Sequence, residues 1–385
     1  MAGCRFQHHR TAPGCHDDTA VQPDLKEPAL KEIFDRARIE TIAGHLADLS
    51  PAFDRACFLE AALRDLDDLA LMARLGQVSG AMHAALDLPV ERALDVLRDL
   101  APRMGSGFAT LILPDWVARF ASDDTDRALD ALAFFTRFGS SEFGIRPFIR
   151  RDPAHVLGVM TDWTADASEH VRRLASEGGR PRLPWSFRLE AVVADPALTW
   201  PILDRLKTDP AIYVRRSVAN HLNDVSKDHP DWLLDRLAGW DRDHPHIAWI
   251  IRHGLRSRIK AGDTLALAMI GADRPAELRV EAAAITPARI RPGDRITLAV
   301  DLISTAATPQ RLVIDYAIGY VRPTGISRKV FKLRTVDLGP GERLQLSRSQ
   351  VIRDFSTRRH HPGHHTVELL VNGAVLAVTG FDLGS

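Results

Sequence analysis

Hydrophobic residues recur at helical spacing from about residue 28 to residue 272. Leu30, Ile33 and Phe34 begin an apolar face with i, i+3, i+4 spacing, and Ile39 and Leu46 extend it. Prolines interrupt the pattern repeatedly and divide the stretch into short helices. The pattern therefore predicts a long array of short helices.

A repeat is visible within this array. Asp166 precedes Arg172 by the same interval that separates Asp209 from Arg215, and corresponding positions are 43 residues apart. Each aspartate is expected to cap a helix, with Pro210 at the first helical position. A period of 43 residues is typical of HEAT or armadillo units. The sequence thus predicts a HEAT-like helical repeat solenoid.

Near residue 285 the period of the apolar residues changes from helical to two. Alternation is clear in 296–302, 312–320 and 367–371, and the last run leads into Asn372-Gly373, a strong hairpin signal. Around seven short strands in about a hundred residues are typical of an immunoglobulin-like sandwich. The predicted fold class is mainly α, a HEAT-like solenoid followed by an all-β immunoglobulin-like domain.

Composition sets the expected boundaries and compartment. The chain has 385 residues, 45% of them hydrophobic, which is ample for a folded core. We expect an unstructured leader over residues 1–24, the repeat domain over 25–272 and the sandwich over 280–385. No apolar run reaches the length of a membrane span, and three cysteines suit a reducing compartment, so a cytoplasmic protein is expected.

Charge is unevenly distributed although it sums to zero. Residues 1–136 hold 14 basic and 22 acidic side chains, residues 137–273 hold 20 and 18, and residues 274–385 hold 16 and 10. The balances are −8, +2 and +6. Attraction of a polyanion depends on local fields rather than net charge, so the basic C-terminal part could clamp a nucleic acid. Ordinary scatter of surface charge is the alternative.

Residues 138–188 are the most unusual part of the chain. Glu142, Glu177 and Trp185 fall near glycines and prolines, and on a solenoid they could converge on the concave face. Nearby cations and polar groups would contact phosphates. The DNA-contacting candidates are Arg146, Trp163, Arg172, Arg173, Arg180, Arg182, Arg215, Arg216, Asn220 and Asn223.

Each candidate also has a structural interpretation. A lone glutamate is commonly a cap or solvated, and Trp163 or Trp185 could be core residues. Arg172 and Arg215 stand where HEAT arrays commonly place an arginine between helices, so pairing with a neighbouring aspartate competes with phosphate binding. From spacing alone, the sequence indicates a polyanion-binding helical array with a candidate carboxylate site.

Other chemistries have weaker signals. The chain has no nucleophile elbow, Walker loop, dinucleotide fingerprint or His-Glu-x-x-His motif. The histidine pairs 360–361 and 364–365 could bind a metal, but no cysteine or acidic ligand set completes a shell, so exposed hairpin residues are the better interpretation. No metal and no cofactor are expected.

Three strings resemble the bacterial AlkC family of alkylpurine DNA glycosylases, relatives of AlkD with HEAT-like repeats. They are Ser140–Phe148, Glu169–Trp185 and Tyr213–Asp224. The resemblance spans roughly residues 25–272, and residues 280–385 look like the immunoglobulin-like domain that a subset of the family carries. The leader matches nothing in the family.

The resemblance implies a monofunctional enzyme of base excision repair that releases 3-methyladenine and 3-methylcytosine from double-stranded DNA without flipping the base. It implies that Glu142, Glu177 and Trp185 form the lesion site, with Asp224 as a fourth member. It further implies a monomer associated with the nucleoid. A non-catalytic HEAT-repeat DNA-binding or scaffold protein is the alternative, because a fold does not establish an activity.

Overall fold

The computed structural model describes residues 30–354 and 359–384, so the predicted leader lies outside the described residues. Within this part of the chain the helices precede the strands. The α-helices are α1 Arg36–Leu49, α2 Arg55–Leu63, α3 Leu71–Leu86, α4 Val90–Met104, α5 Ile112–Phe120, α6 Thr125–Phe135, α7 Arg146–Arg151, α8 Pro153–Asp162, α9 Glu169–Gly178, α10 Glu190–Ala194, α11 Trp200–Leu206, α12 Ile212–Asp228, α13 Pro230–Ala238, α14 Pro245–Gly254, α15 Arg256–Lys260 and α16 Thr264–Ala268.

The first predicted apolar face is divided in the structure. Leu30–Phe34 forms a short 3-10 helix, and Asp35 then caps α1 by accepting a hydrogen bond from the Arg38 backbone N–H at 2.7 Å. The cap restarts the helix, so the spacing continues while the axis changes. Ile39 and Leu46 are buried as predicted, whereas Leu30 is exposed.

The 43-residue repeat is real, but its caps differ from the prediction. The carboxylates of Asp166 and Asp209 accept from the backbone N–H groups of Ser168 and Ala211, which are themselves the N-cap residues of α9 and α12. Each aspartate therefore closes a turn before the helix rather than capping the helix itself. Pro210 accordingly precedes the first residue of α12 by two positions and does not occupy the first helical position.

The two copies of the repeat also share the hydrogen bonds that their arginines make. Arg172 donates from Nη1 to the backbone oxygens of Asp166 and Ala167, and Arg215 makes the same pair of bonds to Asp209 and Pro210. Arg172 also binds the Asp209 carboxylate, with 2.6 Å between Nε and Oδ2. This Arg–Asp contact connects α9 to the start of α12.

Eight strands follow in two sheets of the described C-terminal part. They are β1 Leu278–Thr286, β2 Arg289–Ile290, β3 Arg295–Ser304, β4 Gln310–Arg322, β5 Gly325–Leu338, β6 Arg343–Val351, β7 Gly363–Val371 and β8 Ala374–Leu383. One sheet has the order β1-β3-β6 and the other β2-β8-β7-β4-β5. The predicted Asn372-Gly373 turn joins β7 to β8, with positive φ at both residues. The fold class is the predicted one.

Strand β4 departs from simple alternation because both of its faces are covered. Ile314 and Tyr316 point into the sandwich, whereas Val313 is buried in the core of the helical region. The sandwich therefore packs directly against the end of the helical array. Over the described ranges, no helix combines the length and apolar character that a bilayer crossing requires.

Candidate active site

The loop between α6 and α7 carries Glu142 and is fixed on several sides. The Phe138 carbonyl accepts from the Gly107 N–H at 3.0 Å and from Thr110 Oγ1 at 3.1 Å. A Cβ at Gly139 would stand 2.1 Å from Thr110 Oγ1, so only glycine allows this approach. Ser141 Oγ donates to the Leu132 carbonyl at 2.7 Å. The backbone around Glu142 is thereby held in place.

Glu177 lies in the last turn of α9, where small residues bring the helix end against the same loop. A Cβ at Gly178 would stand 2.6 Å from Ile145 Cγ2. The Glu177 side chain is 7% exposed, and its Oε1 accepts from Arg180 Nη1 at 2.7 Å. The two glutamates, which lie 35 positions apart in the sequence, therefore meet where the loop and the helix touch.

Arg173 bridges the two carboxylates. Its Nη1 is 2.5 Å from Glu142 Oε2, and its Nη2 is 3.7 Å from Glu177 Oε1. The guanidinium also lies over the Tyr213 ring, 4.9 Å from the centroid. Burial alone lowers the pKa of Arg173, but the charges of Glu142 and Glu177 outweigh burial and the pKa is raised.

The same charges keep Glu177 ionised. Burial by itself raises its pKa, but the charges of the Arg173 and Arg180 guanidiniums outweigh burial, so the pKa lies below its usual range. A buried carboxylate that remains charged at neutral pH is a fixed negative charge in a medium of low polarity. Such a group stabilises a positive charge that develops nearby.

Asp224 joins this network from α12 through Arg180. The Arg180 guanidinium donates from Nε to Asp224 Oδ2 at 2.9 Å while it also holds Glu177. Asp224 is buried, and Lys227 lies 3.1 Å from its second oxygen. The predicted fourth member is thus linked to the carboxylate site, although it does not line the cleft described next.

A cleft of about 290 Å³ brings the three main candidates together. Glu142, Glu177 and Trp185 line it with apolar side chains that include Phe108 and Phe143. Trp185 is 66% exposed and has φ +64°, a strained conformation for a tryptophan, and its ring stands edge-on to Phe108 at 6.4 Å. The site presents two carboxylates beside an aromatic face.

The predicted role of Arg146 in DNA contact is contradicted by its position. Its side chain is fully buried, and its guanidinium donates to the backbone oxygens of Gly178, Arg180 and Phe187. Burial, together with the charge of Arg180, lowers the pKa of Arg146 to about 10. The residue ties α7 to the segment after α9, and no phosphate can reach it.

Other predicted DNA contacts are engaged inside the protein. Arg173 and Arg180 hold the carboxylates, and Arg172 holds Asp209. Arg182 forms a bidentate ion pair with Asp228. Trp163 is half-buried and packs against the helical core, which was the structural alternative for this residue.

The remaining candidates lie on or near α12. Arg215 is half-buried, whereas Arg216 is exposed and forms no ion pair among the described residues. The side-chain oxygens of Asn220 and Asn223 accept from Arg256 and Ser257, and neither asparagine lines the cleft. Arg216 is therefore the predicted arginine that is most available for a phosphate.

Several residues that build the site carry no recognisable signal in the sequence. Phe108 lies far from Trp185 in the chain, and only the packed structure brings the two rings together. The bridging role of Arg173 could be recognised only from its distances to the Glu142 and Glu177 carboxylates. Ser140 could have been noticed, since a hydroxyl two residues before a candidate carboxylate is a common local partner.

No group of three or more potential metal ligands occurs in residues 30–354 and 359–384. His360 pairs with Asp354 at 3.2 Å and His364 with Asp382 at 2.8 Å, whereas His365 is buried against Phe381. In the candidate site the carboxylates of Glu142 and Glu177 are paired with arginine guanidiniums. These guanidiniums occupy the positions that a metal cation would take beside the carboxylates.

Comparison with known proteins finds similarity over the whole described fold. A family model described as "Uncharacterised protein YhaZ, C-terminal Ig-like domain" matches residues 279–385. The YhaZ protein of Bacillus subtilis (strain 168) is 36% identical over 348 residues, which cover 90% of this chain and 97% of that protein. The solved structure of the Pseudomonas fluorescens alkylpurine DNA glycosylase AlkC, bound to DNA containing an abasic site analog, is 51% identical with a TM-score of 0.90. The match covers 93% of this chain and all of that one.

Proposed function

This chain belongs to the AlkC family of alkylpurine DNA glycosylases, and we propose that it excises cationic alkylated bases from double-stranded DNA by hydrolysing the N-glycosidic bond. The observation that carries the proposal is the cleft shared by Glu142, Glu177 and Trp185. We further propose that 3-methyladenine and 3-methylcytosine are the lesions released.

The chemistry of these lesions suits a site built from carboxylates. A base methylated at N3 already carries a positive charge, so it takes the bonding electron pair and leaves as a neutral molecule without a general acid. Positive charge then develops on the deoxyribose, and fixed carboxylates aimed at the sugar stabilise that transition state. The reaction needs no redox or metal chemistry because the substrate supplies its own leaving-group charge.

The two glutamates are suited to different parts of this step. Glu177 is held by two arginines, so we assign it electrostatic stabilisation. In Glu142, Oε2 is engaged by Ser140 and Arg173, whereas no described group donates to Oε1. We assign Glu142 Oε1 to orient the attacking water, whose oxygen bonds to C1′ while its proton passes to Oε1.

Trp185 would contact the substrate through its ring face. Its exposed indole is held edge-on by Phe108, and an aromatic face attracts a cationic base or sugar. No lysine lines the cleft within the described part of the chain. This supports a monofunctional enzyme, which hydrolyses the glycosidic bond and does not cleave the DNA strand. Strand cleavage through a Schiff base would need such an amine.

DNA contact beyond the cleft is proposed for two places. Arg216 presents from α12 an exposed guanidinium that forms no ion pair with the described residues, and residues 274–385 carry a side-chain balance of +6 from 16 basic and 10 acidic residues. The hairpin of β4 and β5 turns between Arg322 and Gly325, and the exposed Ile326 lies beside this turn, with Lys329 three positions further along β5. An apolar tip beside cations is suited to a DNA groove. We propose that the protein acts on this substrate as a monomer at the bacterial nucleoid.

One experiment tests the proposed function directly. The full chain is incubated with DNA methylated in vitro, and the supernatant is separated by chromatography. We expect free 3-methyladenine and 3-methylcytosine together with strands that remain intact until alkali is added. Tight binding of the methylated DNA without free base would instead favour the non-catalytic DNA-binding alternative.

A further inference from the structure

The Ser140 hydroxyl makes two side-chain contacts within the candidate active site and also accepts a longer hydrogen bond, 3.5 Å, from the Glu142 backbone N–H. Its Oγ lies 2.5 Å from Glu142 Oε2 and 2.9 Å from Arg173 Nη1. A guanidinium can only donate and an ionised carboxylate can only accept. The hydroxyl therefore donates its proton to Glu142 and accepts from Arg173.

These contacts close a triangle, because Arg173 Nη1 also donates to Glu142 Oε2. Two of the three interactions end on Oε2 of the carboxylate, and none among the described residues ends on Oε1. A carboxylate held at one oxygen by two charge-assisted donors keeps a fixed rotamer. The opposite oxygen, Oε1, is left for a group that enters the cleft.

Ser140 is well placed to act as a rigid support. The backbone just before it is fixed by Gly107 and Thr110, and the residue just after it is fixed by the Ser141 hydroxyl. Arg173, by contrast, reaches the site through a long side chain that is shared with Glu177 and Tyr213. The short serine side chain therefore transmits the position of the loop to Glu142.

We propose that Ser140 is a positioning residue for Glu142, which holds the carboxylate so that Oε1 faces the cleft. The proposal rests on the function proposed above. It predicts that the hydroxyl matters only through Glu142, because its proton is donated to the carboxylate. Misplacement of a reacting group by a fraction of an ångström is enough to slow catalysis.

The test compares Ser140→Ala, Ser140→Thr and Ser226→Ala in the full chain, each alone and combined with Glu142→Gln. Single-turnover release of 3-methyladenine and the affinity for DNA with an abasic analog are measured. We expect Ser140→Ala to slow release about tenfold with unchanged affinity, and Ser140→Thr to retain the rate because it keeps a hydroxyl. Ser226→Ala is the matched control, since its buried hydroxyl donates to the Asn223 backbone oxygen within α12, outside the loop that carries Glu142.

The combined variants separate positioning from general packing. In the Glu142→Gln background, Ser140→Ala should cause no further loss, because the carboxylate that it positions is gone. An unchanged rate in Ser140→Ala, an equal further loss in the double variant, or an equal effect of Ser226→Ala would each overturn the proposal.

A crystal structure of Ser140→Ala tests the same idea without relying on activity. We expect the Glu142 carboxylate to leave its place on Arg173 or to occupy more than one rotamer. A carboxylate that stays in place would overturn the proposal even if the wild-type protein released no base. Absence of base release by the wild type would overturn the proposed function instead, so the two failures are distinguishable.

Discussion

His221 shows how a single buried residue can fix the geometry of the site. Its Nδ1 lies 3.0 Å from the Ser176 carbonyl and its Nε2 lies 3.1 Å from Thr199 Oγ1. Because the carbonyl can only accept, Nδ1 carries the proton, and Nε2 accepts from the hydroxyl. The ring therefore joins α12, which carries Asp224, to the residue just before Glu177.

Burial keeps this imidazole neutral and makes stability depend on pH. Burial is the main cause that lowers the pKa of His221 from 6.5 to about 4. As pH falls below 6.5, His221 becomes protonated in the unfolded chain but stays neutral in the native chain. The free energy of unfolding therefore decreases until about pH 4. The loss from this residue is on the order of 3 kcal/mol.

We therefore predict that His221→Gln is less stable than the wild type at pH 7, with a difference that narrows as pH falls to 5. The reason is that glutamine does not titrate in this range. Urea unfolding of both proteins at pH 7, 6 and 5 provides the measurement. A difference that stays constant across these values would show that His221 is not the neutral buried group described.

At the scale of elements, the helical repeats are joined by ion pairs as well as by apolar packing. The Arg172–Asp209 pair is nearly buried, with side-chain exposures of 14% and 3%. The hydrogen bond that Arg172 donates to Asp209 is the main cause that raises the pKa of Arg172. In the preceding repeat, Asp166 is 3.9 Å from Arg137 and both side chains are more exposed. Equivalent aspartates thus differ in the strength of their pairs.

This difference predicts unequal effects of the same substitution. Asp209→Ala leaves Arg172 without its partner and should lower the free energy of unfolding by about 3 kcal/mol. Asp166→Ala loses the same kind of turn hydrogen bond but only a weak exposed pair, so the pair itself should contribute less than about 1 kcal/mol. Denaturant unfolding of the two variants measures both values. Equal losses would mean that the ion pair between repeats contributes nothing.

At the scale of the whole molecule, the two domains meet through two glycines. Gly262, between α15 and α16, lies against Gly373 in the turn between β7 and β8, and both have positive φ. A Cβ at Gly373 would stand 2.5 Å from Gly262 Cα. Asn372 Nδ2 also donates to the Arg274 carbonyl at 3.0 Å. Backbone contact this close defines one orientation of the sandwich.

We expect Gly373→Ala to disturb this orientation and weaken binding to DNA. Gly341→Ala is the matched control, because Gly341 also has positive φ but no atom stands within 4 Å of its Cβ position. Both variants should lose about 1 kcal/mol from backbone strain. Small-angle scattering and DNA affinity should change in Gly373→Ala alone. Identical scattering and DNA affinity in the two variants would show that the contact between the glycines does not set the orientation of the sandwich.

How far the sequence predicts this molecule depends on the kind of information needed. Glu142, Glu177 and Trp185 could be grouped because repeats bring equivalent positions to one face, and the strands followed from alternation. Arg146 could not be assigned correctly, since a basic residue at a helix start has the same pattern whether solvent or a neighbouring segment covers it. The bridging by Arg173 depends on side-chain distances that no periodicity contains.

The central claim is that carboxylates in the cleft stabilise a sugar that becomes cationic, and one rate measures it most directly. Release of 3-methyladenine from duplex DNA is followed under single-turnover conditions for the wild type and Glu142→Gln, with enzyme in excess. The account predicts at least about a 100-fold slower release by the variant, with unchanged affinity for DNA containing an abasic analog. Release by Glu142→Gln at the wild-type rate would contradict it.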